Sequence, residues 1–131
     1  MIIHPIKPVF DKDSRILVLG SFPSVKSREK GFFYGHPQNR FWRVTAEVMG
    51  EDTPQSIDEK RSFLLRNHIA LWDVIGSCEI DGSSDSSIRN VTVNDLSAIL
   101  KTADIQEIFL NGKKAAWSIE KLVEAWKIIA E

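Results

Sequence analysis

Asn39 stands directly before a helical pattern, in a stretch dense with side chains that do chemistry. Between Gly20 and Arg43 the chain gathers three consecutive aromatics (Phe32, Phe33, Tyr34), one histidine (His36), Asn39 and five basic residues (Lys26, Arg28, Lys30, Arg40, Arg43). An asparagine in that position is an N-cap, whose amide oxygen accepts a backbone N–H, or a neutral amide that holds a water in place; a side chain locked at a helix start can do both. The three aromatics cannot all face one core, so at least one ring is free to lie against a planar ligand, where stacking on a nucleobase contributes about 1–3 kcal/mol. The basic cluster is opposed locally only by Glu29 and Glu47. It is either scattered surface charge or a contact for a phosphate backbone. His36 reads as structural or surface, since no second His or Cys lies at ligand spacing to support a metal.

Other candidates lie further along the chain. Asn111, before Gly112, is a turn residue or an amide that reads a base edge with one donor and one acceptor group. Ser83, Ser84, Ser86 and Ser87 read as a solvated loop, with hydroxyl-to-phosphate contacts as the second reading. Neither Cys78 nor any serine has a histidine at a spacing diagnostic of nucleophilic catalysis. The loop after Gly20 carries neither a dinucleotide-binding glycine pattern nor a phosphate-loop lysine.

The elements that must position these groups are legible as an alternation. Ile16 to Leu19 is a continuous apolar run, as in a strand buried on both faces of a parallel sheet. After the aromatic and basic loop, Phe41, Val44, Thr45 and Val48 recur at helical spacing until Gly50 ends the helix. Ser56 and Glu59 have capping-box spacing for a helix with Ile57, Phe63 and Leu64 inward as far as Asn67. Ile69 to Ile75 reads as the second strand, Gly76–Asn90 as a Ser/Gly/Asp-rich loop, and Thr92 or Asn94 as the cap of a third helix with Leu96, Ile99 and Leu100 inward. Ile105 to Leu110 is the third strand, and 118–130 a final amphipathic helix. Residues 1–14, with Pro5 and Pro8, read as an irregular arm. The expected fold is α/β, a parallel sheet with helices on both faces. Parallel topology brings the loops after Leu19, Ile75 and Leu110 to one sheet edge, where open α/β sheets bind ligands.

Length and composition set the bounds. The 131 residues suit one domain, 1–131, and four Trp and seven Phe can fill a core. A net charge of −1 means that any nucleic-acid site rests on local clustering rather than on a basic molecule. The single Cys78 rules out an internal disulfide and suits a reducing compartment. No apolar run is long enough to span a membrane, and the N-terminus lacks the form of a signal peptide. The expectation is a cytoplasmic monomer.

Gly20-Ser-Phe-Pro-Ser24 followed by Gly31-Phe-Phe-Tyr-Gly-His-Pro-Gln-Asn-Arg-Phe-Trp42 resembles the uracil-DNA glycosylase superfamily, and within it the hypoxanthine (deoxyinosine) DNA glycosylases. Ala70-Leu-Trp-Asp-Val74, Gly82 to Arg89 and Phe109-Leu-Asn-Gly112 extend the resemblance over most of the chain. It implies a three-layer α/β/α sandwich on a four-stranded parallel sheet. It implies hydrolysis of the N-glycosidic bond of a deaminated base in DNA (hypoxanthine first, uracil or xanthine next) without metal or cofactor. Mismatch-specific relatives carry a catalytic Asn where this chain has Phe22; in the hypoxanthine branch that role passes to the position of Asn39. The resemblance also implies base binding by Phe22, Tyr34 and Asn111, and backbone contacts from Ser24, Lys26, Arg28, Arg40 and Ser83. A non-catalytic nucleobase or nucleic-acid binding module of the same fold is the alternative.

One departure stands out. After Asn111-Gly-Lys-Lys114 the resembling family continues to a fourth strand and a further DNA-gripping loop. This chain runs almost at once into what looks like the final helix. The expectation is a missing segment near Lys114–Ala116, with a break in the backbone there.

Overall fold

The computed structural model describes residues 1–111. The expected final helix, the expected lack of a fourth strand and the expected break near Lys114–Ala116 all fall outside the described residues. Within them the elements run β1 (Ile2–Ile3), β2 (Ile16–Gly20), α1 (Val25–Lys30), α2 (Phe41–Met49), α3 (Ile57–Arg66), β3 (Ile69–Asp73), β4 (Ile75–Glu79), a 3-10 turn (Asp85–Ser87), β5 (Arg89–Val93), α4 (Ser97–Thr102) and β6 (Glu107–Leu110).

The three apolar runs form the parallel sheet that their continuous hydrophobicity predicts. Its order is β3-β2-β6, with Leu17 paired to Ala70 and to Ile108, and Leu19 to Trp72 and Leu110. Because side chains alternate along a strand, the sheet feeds two cores. On one face Ile69 and Leu71, with Val18 beside them, pack with Phe32, Phe33, Trp42, Phe63 and Leu64. On the other, Leu17, Leu19 and Ala70 pack with Leu96 and Ile99. Helices thus cover both faces, which is what a strand apolar on both sides requires.

Four local readings need correction. The Ile69–Ile75 run is two strands that break at Val74. β4 leaves the parallel sheet to form a second, antiparallel sheet in the order β1-β4-β5. Gly76–Asn90 is accordingly not one loop: its ends are β4 and the start of β5, and only the tip is irregular. Polar residues hid this hairpin, whose inward side is carried by Ile75, Cys78 and Ile88 packed on Phe22. Second, the third helix starts at Ser97, where Asp95 Oδ1 accepts the Ser97 N–H at 2.9 Å. Asn94 is no cap; its amide nitrogen donates to the carbonyls of Asp73 (2.8 Å) and Ile75 (3.2 Å). Third, α2 buries Trp42 and Ala46 rather than Val44 and Val48, which are exposed. The indole sets that roll, because Trp42 Nε1 donates to the Phe33 carbonyl at 3.1 Å inside the core. Fourth, Ile57 and Leu100 are exposed, leaving Phe63, Leu64, Leu96 and Ile99 as the inward residues of their helices.

Other expectations hold. Ser56 Oγ accepts the Glu59 N–H at 3.0 Å, and Gly50 ends α2 in the left-handed conformation at φ 69°. Glu59 reaches back to the Gln55 N–H rather than to Ser56. The N-terminal arm is held along its length: His4 N–H bonds the Gly76 carbonyl, Val9 bridges Leu71, and Trp72 Nε1 donates to the Ile6 carbonyl.

Candidate active site

The loop between β2 and α2 is built around one short helix. Ser24 caps α1 by accepting the Ser27 N–H at 3.1 Å, and the Ser83 hydroxyl accepts the Val25 N–H at 2.8 Å. Gly31 ends the helix at φ 71°, a value that favours glycine. The buried Ser27 hydroxyl then accepts the Gly35 N–H at 3.0 Å, folding the chain back so that Phe32 and Phe33 enter the core. Tyr34, at φ 51°, packs at the margin of the same core and also lines a cavity.

This fold-back brings the loops after β2, β3 and β6 together around a cavity of about 240 Å³ lined by Gly20, Phe22, Ser24, Tyr34, Asn39, Asp73, Ser83 and Asn111 among others. That is below the roughly 300–1,000 Å³ of sites for drug-sized ligands, a size that suits a fragment such as one base. One face of the Tyr34 ring is covered by Phe41, with centroids 4.4 Å apart and planes at 28°, and the residue lines the cavity. Asn111 Nδ2 donates to the Tyr34 hydroxyl at 3.0 Å. Burial first and the Asp73 charge second raise the Tyr34 pKa well above that of an ordinary phenol, against the Asn111 bond, so the ring stays a neutral hydroxyl. Asn111 is itself fixed by its backbone bond to the Leu19 carbonyl.

Asn39 is not the N-cap of α2: that position is Arg40, which makes no side-chain cap, and Asn39, one residue earlier, instead accepts the Phe41 N–H through Oδ1 at 2.8 Å in a local turn. With the oxygen so engaged, the amide nitrogen is left to meet a water or a ligand. Phe22 is buried, with the His4 ring edge-on at 5.7 Å and the Arg28 guanidinium 5.8 Å from its centroid.

The basic residues divide by what they touch. Arg28 is a strut: it donates to the Gly82 carbonyl at 2.7 Å and reaches the Ser24 carbonyl, tying α1 to the β4–β5 hairpin. Lys26 is exposed and pairs with Glu29 at 3.5 Å. Arg40 lies with Lys30, Arg43 and Lys60 along a groove of about 360 Å³ that opens beside Asn39. Lys60 sits 5.3 Å from the Trp42 ring centre, and burial first, then the charge of Lys30, lower its pKa. A wider depression of about 650 Å³ elsewhere carries Glu51, Asp52, Asp58 and Glu59, which would repel a polyanion. His36 Nδ1 accepts the Gln38 N–H in a local turn. Among the described residues no group of three or more His, Cys, Asp or Glu side chains is placed to hold a metal.

One residue of the cavity wall, Asp73, and the residue that holds it, His4, escaped the sequence reading. Asp73, at the carboxyl end of β3 and 3% exposed, accepts from His4 Nε2 at 2.7 Å through Oδ2. The readable signal for Asp73 was a lone carboxylate ending the apolar run Ile69-Ala-Leu-Trp72. His4 gave none, since nothing in the arm's composition says that it folds across the sheet edge.

The comparisons with known proteins agree with this geometry. The family model described as the uracil DNA glycosylase superfamily matches residues 7–129. Proteins named hypoxanthine DNA glycosylase from Methanosarcina barkeri and Methanosarcina acetivorans are 39% and 38% identical, over 82% and 88% of this chain and 70% and 74% of their own lengths. A solution NMR structure of a Methanosarcina acetivorans protein assigned as a uracil DNA glycosylase superposes with a TM-score of 0.79 at 34% identity, covering 96% of this chain and 80% of that one. With a family match over nearly its whole length and the parallel sheet and edge cavity in place, the chain belongs to the uracil DNA glycosylase superfamily.

Proposed function

We propose that this protein is a monofunctional DNA glycosylase that hydrolyses the N-glycosidic bond of a deaminated base, with hypoxanthine as the first substrate and uracil and xanthine as the others to test. The observation that carries the reading is the convergence of Tyr34, Asn39 and Asn111 on one base-sized cavity beside a basic groove, in a chain similar to proteins named hypoxanthine DNA glycosylase. The partner is DNA, met by a monomer in the cytoplasm.

A base stacked in a duplex is out of reach, so it must leave the helix and enter the cavity. Tyr34, backed by Phe41, offers its ring to the base, and Phe22 adds an apolar wall. Asn111 and the Tyr34 hydroxyl supply polar contacts to the base edge. Lys26 and Arg40 meet the flanking phosphates. Ser24, Ser83 and Arg28 act more indirectly, by holding α1 and the hairpin in the shape that receives the strand. As the bond to C1′ breaks, the sugar becomes cationic and the departing base gains negative charge. Donors fixed around the cavity stabilise that charge without reorganising. Asn39 is neutral and cannot act as a base; its amide, locked by the Phe41 N–H, holds the attacking water near C1′, a gain in proximity.

The test is incubation with duplexes containing inosine, uracil or xanthine, then alkali to nick abasic sites. Nicking of at least one is expected, and Asn39→Ala abolishes it while the protein stays folded, since losing its one exposed hydrogen bond to the Phe41 N–H costs about 0.5–1.5 kcal/mol out of the roughly 5–15 kcal/mol of a domain. Binding without nicking of any substrate would mean a base-binding module instead. A folded Asn39→Ala protein with the wild-type rate would leave Asn39 a turn residue before α2 and nothing more.

A further inference from the structure

We infer that Asp73, clamped by His4, is the group that recognises deamination itself. This deepens the glycosylase reading and rests on it. The clamp is fully specified by its bonds. His4 Nδ1 accepts the Ile6 N–H at 3.1 Å, so the ring proton is on Nε2 and is donated to Asp73 Oδ2 at 2.7 Å. Both side chains are nearly sealed from solvent, at 3% and 4% exposure. Phe22, Phe33 and Trp72 hold the imidazole from three sides, with centroids 5.7, 6.2 and 6.0 Å away. The carboxylate is therefore fixed in place by one oxygen. The other, Oδ1, takes no hydrogen bond among the described residues, and Asp73 lines the cavity. Gly20 leaves the space in which it sits: a Cβ there would lie 2.5 Å from Oδ1 and 3.1 Å from the Tyr34 hydroxyl.

A rigid acceptor at that point answers a chemical question. Deamination of adenine turns N1 from a lone pair into an N–H, and deamination of cytosine does the same at N3. Oδ1 accepts that N–H and repels the lone pair that stands there in the parent base, while the neighbouring keto oxygen is met by the Tyr34 hydroxyl or the Asn111 amide, both donors. Guanine also carries an N1–H, but with a 2-amino group beside it. A carboxylate pairs both with one oxygen each, and here Oδ2 already accepts from His4, so guanine's amino group would have to share that oxygen with the imidazole N–H. A site built to hydrogen-bond rejects ligands that leave its buried polar groups unpaired far more strongly than an apolar pocket rejects a change of shape.

The experiment measures binding, so that leaving-group ability does not enter. Duplexes carry a 2′-fluoro nucleoside, which resists cleavage, with either hypoxanthine or unsubstituted purine, whose N1 is a lone pair. The wild-type protein is expected to bind the hypoxanthine duplex about 10- to 100-fold more tightly, the range of one charged hydrogen bond. In Asp73→Asn the amide accepts from His4 and turns its NH₂ to the cavity, so the ratio falls to near unity or inverts. His4→Gln, with Asp73 intact but unclamped, gives a reduced ratio and is the second variant should Asp73→Asn fail to fold. A wild-type ratio near unity, or a folded variant of either kind that keeps the wild-type ratio, overturns the inference while excision of inosine still upholds the glycosylase reading. A wild-type protein that neither binds nor excises any deaminated base overturns both.

Discussion

Replacing Gly20 by alanine should strike the site through a single methyl group. Gly20 is not among the positions with positive φ, so alanine adds no backbone strain there. In an open position such a change would stabilise by about 0.4–1 kcal/mol through the unfolded chain. Here the new Cβ meets Asp73 Oδ1 at 2.5 Å, where ordinary contact begins at 3.4 Å. The carboxylate must retreat by most of an ångström, and its Oδ2 is tied to His4 at 2.7 Å. The Tyr34 hydroxyl, 3.1 Å from the same point, blocks part of the way out. Overpacking of this kind costs about 1–3 kcal/mol, which leaves a net loss of up to about 2.6 kcal/mol once the entropic gain is subtracted. The kinetic effect is larger, because a misplacement of about 1 Å costs on the order of 100-fold in rate. Circular dichroism melts give the first quantity, and single-turnover excision from an inosine duplex the second. A Gly20→Ala protein that melts with the wild type and excises at the wild-type rate would refute the claim that Asp73 is held rigidly against the cavity.

Three further outcomes follow from the geometry. Tyr34→Phe keeps the ring and removes the acceptor of the Asn111 amide, so binding of a base-flipped duplex should weaken while the salt dependence of binding, set by the phosphate contacts, stays unchanged; titrations at two salt concentrations check this. Trp42→Phe leaves the Phe33 carbonyl unpaired in the core and should cost about 1–3 kcal/mol, read from the shift of a urea midpoint at constant slope. Glu51 is held below the usual glutamate value of 4.5, first by its hydrogen bond from Arg66 and then by that from Asn67. A lowered folded-state pKa means that its contribution is present above pH 4.5 and disappears as the pH falls through the folded value, so Glu51→Gln should flatten the stability profile on that acid limb and nowhere else.

The parts of this structure that were legible in the chain are those where one physical demand dominates. Ile16–Leu19 had to be a strand buried on both faces, and Phe41–Met49 had to stop at Gly50. The convergence of Gly20, Asn39 and Asn111 followed from parallel topology alone. The β4–β5 hairpin was not legible, because its stabilisation comes from pairing with β1 and from three inward residues spread among serines and glycines. The site divides in the same way. Tyr34 and Asn39 are marked by their neighbours in sequence. His4 and Asp73 become a pair only through contacts 69 positions apart, which no local pattern encodes. Arg28 and Ser83, expected at the DNA backbone, also hold α1, a role that no local pattern announces.

The break at Val74 has a consequence for motion. Asn94 donates its side-chain N–H groups to the carbonyls of Asp73 and Ile75, and its backbone N–H to that of Val74 at 2.7 Å, while the Val74 N–H bonds the Gly20 carbonyl at 2.8 Å. Every backbone carbonyl across the junction of the two sheets is thus pinned by one residue. The junction cannot serve as a hinge without releasing several hydrogen bonds together, so amide exchange at 74–76 should be as slow as in the centre of β2. The wall that carries Asp73 keeps its shape before the base arrives, and little ordering entropy remains to be lost when it does.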